Sequence, residues 1–154
     1  MEKDFDKDLI QLNVNARDRE EAVKIAFNPL LRKGKIKAEY IQNVINSMNN
    51  IGPYFVLLPK VALPHARPEE GAIENAIGIT VLNKPVNFGS ESNDPIKYLF
   101  PLSAVNSGDH LDVLSTLSLL VEDESFFNIR DNANKPEEVL DFINKTNRKE
   151  ELDV

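Results

Sequence analysis

Ala76-Ile77-Gly78-Ile79-Thr80-Val81-Leu82 sets Ile77, Ile79 and Val81 on alternate positions against Gly78 and Thr80, the two-residue period of a strand. Asn83-Lys84-Pro85 follows as a turn toward Val86-Asn87-Phe88-Gly89, so the spacing predicts a hairpin. Beyond a loop from Ser90 to Pro95, residues 96–105 are apolar enough for a strand covered on both faces. Pro101 within it lacks an N–H and predicts an edge or a bulge. Upstream, Tyr54-Phe55-Val56-Leu57-Leu58 lies between Pro53 and Pro59, and Val61-Ala62-Leu63 is stopped by Pro64. Both read as short strands.

Helices surround these strands. Asp18 is placed to cap a helix carrying Ala22, Val23, Ala26, Phe27, Leu30 and Leu31 at three-to-four spacing and ending at Arg32-Lys33-Gly34. A second amphipathic run, from about Lys37 to Asn50, puts Ile41, Val44, Ile45 and Met48 on one stripe. The first third of the chain therefore reads as a helical pair. Asp109 to Val121 repeats the pattern with His110, Leu114, Leu117 and Val121. Shorter helices are expected around Ser125–Arg130 and from Pro136 to about Lys145. The chain is thus expected to be a single α/β domain over residues 1–154, its core about 16–145, with a mixed β-sheet flanked by α-helices.

A length of 154 residues suits one domain with a substantial core. No cysteine is present, which excludes disulfides, thiolate zinc sites and a thiol nucleophile. The net charge of −7 opposes attraction to phosphate backbones, so nucleic acid is not an expected partner. The N-terminus is charged and no apolar run is long enough to span a bilayer. A cytoplasmic protein without membrane insertion is expected.

The two histidines carry the chemistry. In Leu63-Pro64-His65-Ala66-Arg67-Pro68 each proline forces the residue before it to be extended, so His65 sits in a stiff corner outside any helix. A partly neutral imidazole is a competent nucleophile toward phosphorus. His110 lies in Ser107-Gly108-Asp109-His110, where a helix opens and its N–H groups and dipole make an anion site. Arg67 offers a forked guanidinium to phosphate oxygens, and a surface ion pair with Glu69 or Glu70 accounts for it equally well. The candidate site is His65 as phosphoryl acceptor, His110 as stabiliser, and Arg67 and Ser107 as phosphate contacts. No metal site is expected, since the histidines are not closely spaced and helical periodicity accounts for Asp112. No Gly-x-Ser-x-Gly elbow, Gly-x-x-x-x-Gly-Lys loop or Gly-x-Gly-x-x-Gly fingerprint occurs, and no cofactor is expected.

Val61-Ala62-Leu63-Pro64-His65-Ala66-Arg67-Pro68-Glu69-Glu70-Gly71-Ala72, then Pro85-Val86-Asn87-Phe88-Gly89, Asn93-Asp94-Pro95-Ile96 and His110-Leu111-x-x-Leu114, together resemble the enzyme IIA component of the bacterial sugar phosphotransferase system, mannitol–fructose type. The resemblance runs from about Ala16 to Ile143. It implies the mannitol-type enzyme IIA fold and a phosphotransferase that works through a phosphohistidine. Phosphate would pass from the histidine-phosphocarrier protein to Nε2 of His65 and on to a sugar-specific IIB component, with His110 steadying it. Ala66-Arg67-Pro68-Glu69-Glu70-Gly71 is more similar to the branch serving ascorbate, galactitol or pentitols than to mannitol. An arginine that many relatives carry in the preceding helix is not found here. Two alternatives stay open on the sequence: a regulatory phosphohistidine domain of the same family, and a non-catalytic α/β binding module. A relay protein also needs partly exposed apolar residues near its histidine turns to dock two partners in succession.

Overall fold

The computed structural model describes residues 5–56 and 58–106, together with Gly108 and Ser115. The sheet is organised on β3 (Ala76–Val86). It pairs in parallel with β1 (Phe5–Val14) on one side and antiparallel with β4 (Ile96–Leu99) and β5 (Leu102–Ser103) on the other. The short strand β2 (Val61–Ala62) pairs in parallel with β4, giving the order β1-β3-β4-β2 with β5 also on β3. From Ala76 to Leu82 every residue of β3 is buried, as befits a central strand covered on both faces. This is the mixed sheet expected from the sequence.

Two helices, α1 (Arg19–Arg32) and α2 (Ala38–Ile51), bury the predicted stripes in one core with the sheet. Asp18 caps α1, its side chain accepting from the Glu21 N–H at 2.9 Å. Phe27 of α1 meets Tyr40 of α2 edge to face at 5.6 Å. Pro29 lies inside α1 and has no N–H to give the Ile25 carbonyl one turn earlier. Gln11 of β1 supplies the missing donor: its Nε2 lies 2.8 Å from Ile25 O and 3.1 Å from the hydroxyl of Thr80. One side chain thus satisfies a helix carbonyl and a fully buried threonine together.

Several expectations need correction. The first third is a strand followed by a helical pair: β1 begins in the charged N-terminal segment, burying Leu9 and Ile10 while Lys7 and Asp8 stay exposed. The hairpin predicted at Asn83-Lys84-Pro85 does not form. β3 runs through these exposed residues to Val86, past its last pairing with β1 at Leu82. The pairing with β4 shifts register between Val81 and Val86, so the proline breaks no regular ladder there.

Tyr54-Phe55-Val56 is a turn instead of a strand. Gly52 ends α2 at φ 109°, Pro53 follows, and the Val56 N–H closes back on Pro53 O at 3.1 Å. The apolar run reflects burial of Phe55 against Phe88 and Tyr54. Pro101 divides the expected strand into β4 and β5 without a change of register, Leu99 facing Thr80 and Leu102 facing Ile77. Gly78 donates to Pro101 O at 2.8 Å. A Cβ on Gly78 would lie 2.8 Å from Pro101 Cγ and 2.9 Å from Leu9 O, so only glycine fits between the two neighbouring strands. The helices expected over Asp109–Val121, Ser125–Arg130 and Pro136–Lys145 lie outside the described residues.

Candidate functional site

The loop bearing His65 begins where β2 ends. Phe100 N–H donates to Ala62 O at 2.9 Å and Leu102 N–H to Pro64 O at 3.0 Å, so the parallel pairing with the neighbouring strand is carried past β2 into the loop. Leu63 and Pro64 are buried and His65 is half-buried. Pro68 then opens a single 3-10 turn, Pro68–Glu70, ended by Gly71 at φ 127°. A Cβ on Gly71 would stand 3.0 Å from Tyr40 Cβ. The loop therefore crosses α2 at near contact.

The imidazole is anchored at Nδ1. His65 Nδ1 lies 2.6 Å from the Leu63 carbonyl. A carbonyl only accepts, so the hydrogen-bond network assigns the proton to Nδ1 and the lone pair of the neutral ring to Nε2. Tyr54 stands edge to face against the ring at 5.6 Å and 79°. Its hydroxyl donates to the carbonyl of His65 itself. On the same peptide group, the Ala66 N–H donates to the hydroxyl of Tyr40 at 3.0 Å, and that hydroxyl donates to Leu102 O at 2.8 Å. Both ends of the 65–66 peptide are thus gripped by phenols.

Burial is the main reason the Tyr54 hydroxyl is pushed up to about 12, with the Glu70 charge adding to it. Burial raises Tyr40 further still, against the hydrogen bond at Ala66. Both remain neutral at physiological pH. Neither was foreseen as a site residue. The available signal was that two of only three tyrosines fall in or just after the amphipathic stripe of α2, where a buried phenol must find a polar partner.

Arg67 is mostly exposed and paired with both acids: Nη2 to Glu70 Oε1 at 3.0 Å and Nε to Glu69 at 3.7 Å. Glu70 is fixed in turn, its N–H on Arg67 O at 3.0 Å and its carbonyl accepting from Asn43 of α2 at 2.9 Å. The ion-pair reading of Arg67 is what the described contacts contain. Ser107 and His110 lie outside the described residues. β5, the strand that leads toward them in sequence, is tied to the histidine loop through Leu102. Among the described residues no group of three or more His, Asp or Glu side chains is placed to hold a metal ion. No helix among them is long and apolar enough to cross a membrane.

The motifs at Pro85–Gly89 and Asn93–Ile96 prove to be scaffold. The Asp94 carboxylate accepts the N–H groups of Phe88, Gly89 and Ser90 at 2.9, 2.9 and 3.0 Å, and the Asn93 carbonyl accepts the Lys60 N–H at 2.9 Å just before β2. α2 contains no arginine. Near its end Asn49 is bound instead by Arg19 of α1, which also reaches Phe88 O at 2.9 Å.

A mixed sheet under a helical pair is the fold that this chain shares with solved enzyme IIA components of the phosphotransferase system. Residues 4–146 match the model of the family described as phosphoenolpyruvate-dependent sugar phosphotransferase system, EIIA 2, and the chain belongs to that family. It is accordingly a phosphotransferase that works through a phosphohistidine intermediate, a phosphoryl carrier of a sugar-transport system. The chain is 36% identical over 139 residues to the ascorbate-specific EIIA component of Salmonella typhimurium, covering 90% of each. It is 35% identical over 140 residues to that of Escherichia coli K12, again covering 90% of each. The solution structure of the mannitol-specific cryptic enzyme IIA CmtB from Escherichia coli superposes with a TM-score of 0.82 at 35% identity, covering 93% of this chain and 97% of that one. Enzyme IIA mannitol of Escherichia coli, in its complex with phosphorylated IIB mannitol, shares the fold at 23% identity and a TM-score of 0.79, covering 92% and 97%.

Proposed function

We propose that His65 is the phosphoryl acceptor of this enzyme IIA and that Nε2 is the nitrogen that takes the phosphorus. The observation that carries the reading is the 2.6 Å contact between Nδ1 and the Leu63 carbonyl, which commits one nitrogen to a proton and the other to a lone pair. In the transfer, the Nε2 lone pair forms a P–N bond as the P–N bond on the donor's phosphohistidine breaks. The released electron pair leaves with the donor ring. Each ring keeps the proton on its other nitrogen, so no separate base is needed. The Leu63 carbonyl then accepts from an imidazolium that carries phosphate.

The donor is the histidine-phosphocarrier protein and the acceptor a sugar-specific IIB component. A protein of the same fold docks a phosphorylated IIB, which supports the second partner. Ile51 is 77% exposed at the end of α2, and Leu58 is also exposed, both on the segment leading into the histidine loop. We assign these apolar side chains to the docking face. His110 steadies the phosphoryl group, with Ser107 and Arg67 as further contacts to its oxygens. The bond between Tyr40 and Leu102 O supports this arrangement, because it fastens β5 beside the His65 loop. The curated relatives at 35–36% identity carry an ascorbate-specific name, and ascorbate or a related polyol is the proposed substrate of the cognate transporter. The working unit is one domain in the cytoplasm, spanning about residues 4–146.

Incubation with phosphoenolpyruvate, enzyme I and the phosphocarrier is expected to add one phosphate that is acid-labile and base-stable, and His65→Ala to add none. An unchanged mass in the native protein would end this reading. Arg67→Ala is expected to leave the melting temperature unchanged while slowing acceptance several-fold.

A further inference from the structure

We infer that Tyr54 is a positioning residue for phosphoryl transfer: its hydroxyl and its ring edge together hold the His65 peptide and imidazole so that Nδ1 stays on the Leu63 carbonyl. The inference rests on His65 being the acceptor and goes beyond it, since it names what keeps the Nδ1 contact with the Leu63 carbonyl in place.

The Leu63 contact alone does not fix the ring. An imidazole turned about its Cβ–Cγ bond carries Nδ1 away from that carbonyl, and the neutral ring can then move its proton to the other nitrogen. Among the described contacts, two oppose this turn. The Tyr54 ring packs against the imidazole in a T-shaped pair, with centroids 5.6 Å apart. The peptide from which the ring hangs is also gripped at its carbonyl by Tyr54 and at its N–H by Tyr40. Of the two phenols, Tyr40 is fully buried between α1, α2 and the loop, so its loss is felt first as instability. Tyr54 is half-buried and is the one whose ring also touches the imidazole. Its position three residues after α2, on a turn set by Gly52 and Pro53, delivers the hydroxyl to the His65 carbonyl from outside the core. A phenol that stays neutral provides this hold without adding negative charge where a phosphoryl group must arrive.

Tyr54→Phe keeps the ring and removes only the donor, so it separates the two contributions. With the phosphocarrier as donor, the variant is expected to accept phosphate about tenfold more slowly, chiefly in turnover and not in donor affinity. Nitrogen-15 spectra of the His65 ring are expected to change from a single Nδ1–H tautomer to a mixture. Tyr54→Ala should be slower again. Replacing Tyr54 by 3,5-difluorotyrosine keeps size and fold and gives the hydroxyl a lower pKa. Transfer and the Nδ1–H tautomer are then both expected to fade as that hydroxyl ionises. A Tyr54→Phe protein with the wild-type tautomer and wild-type rate, or a difluorotyrosine protein with no such pH dependence, overturns the inference. Failure of His65→Ala to abolish labelling is a separate result, and it removes the acceptor assignment itself.

Discussion

The loop from Phe88 to Pro95 and the loop from Leu63 to Glu70 are both held by their backbone groups, and by opposite chemistries. In the first, one carboxylate, Asp94, takes three N–H groups. In the second, two neutral phenols take the two ends of a single peptide. A carboxylate makes the stronger hydrogen bonds, and it suits a loop that has only to stay closed. Beside the histidine that we propose receives a multiply charged phosphoryl group, the same carboxylate would repel the reactant. Phenols grip without that penalty. The two acids of the histidine loop, Glu69 and Glu70, both lie against Arg67.

The contrast can be broken at its ends. The largest effect is expected from His65→Ala, which should abolish phosphate acceptance while thermal unfolding stays close to wild type, since the half-buried ring leaves no large void. Asp94→Ala is the opposite case. Three loop N–H groups lose their acceptor, and urea unfolding is expected to reveal a loss of roughly 3 kcal/mol, with labelling of the remaining folded protein intact. Tyr40→Phe falls between them. It leaves the Ala66 N–H and Leu102 carbonyl without their shared partner, for an expected loss of about 1–3 kcal/mol by urea unfolding, and labelling should slow as well.

The smallest effect sharpens the comparison through pH. Both phenols titrate above their ordinary value of 10.0 in the folded protein. Stability from keeping them neutral is therefore complete below pH 10 and is lost as pH rises toward about 12, where Tyr54 titrates. Partial exposure of Tyr54 limits its share to on the order of 1 kcal/mol. Unfolding midpoints measured from pH 9 to 12 should fall less in Tyr54→Phe than in the native chain. The Asp94 loop should contribute nothing to that slope.

Much of the fold was legible because it is written locally. The stripes of α1 and α2, the Asp18 cap and the alternation of β3 are all patterns within a few residues, and the two prolines around His65 fix its corner without help from the rest of the chain. What escaped reading depends on distant partners. β1 is charged, and among its described side chains only Leu9 and Ile10 are deeply buried, so it becomes a strand through the β3 edge. Asn83-Lys84-Pro85 carries turn residues, yet it stays extended because Asn83 is tied to the end of β1 and the residue just past it, at Asn13 O and Asn15 Oδ1. The tyrosines are the sharpest case. Tyr40 reads as one more apolar position in a helix, and its partners lie 26 and 62 residues away. At the candidate site the stiff corner that holds His65 was legible, whereas the groups that orient the imidazole were not.

The central claim is that the Leu63 carbonyl commits Nδ1 and so selects Nε2 for phosphorus. Phosphorus–nitrogen coupling in the phosphorylated, nitrogen-15-labelled protein tests it most directly. Coupling to Nε2 of His65, with Nδ1 still protonated, is the predicted result. Phosphorus bonded to Nδ1 of that ring would contradict the account.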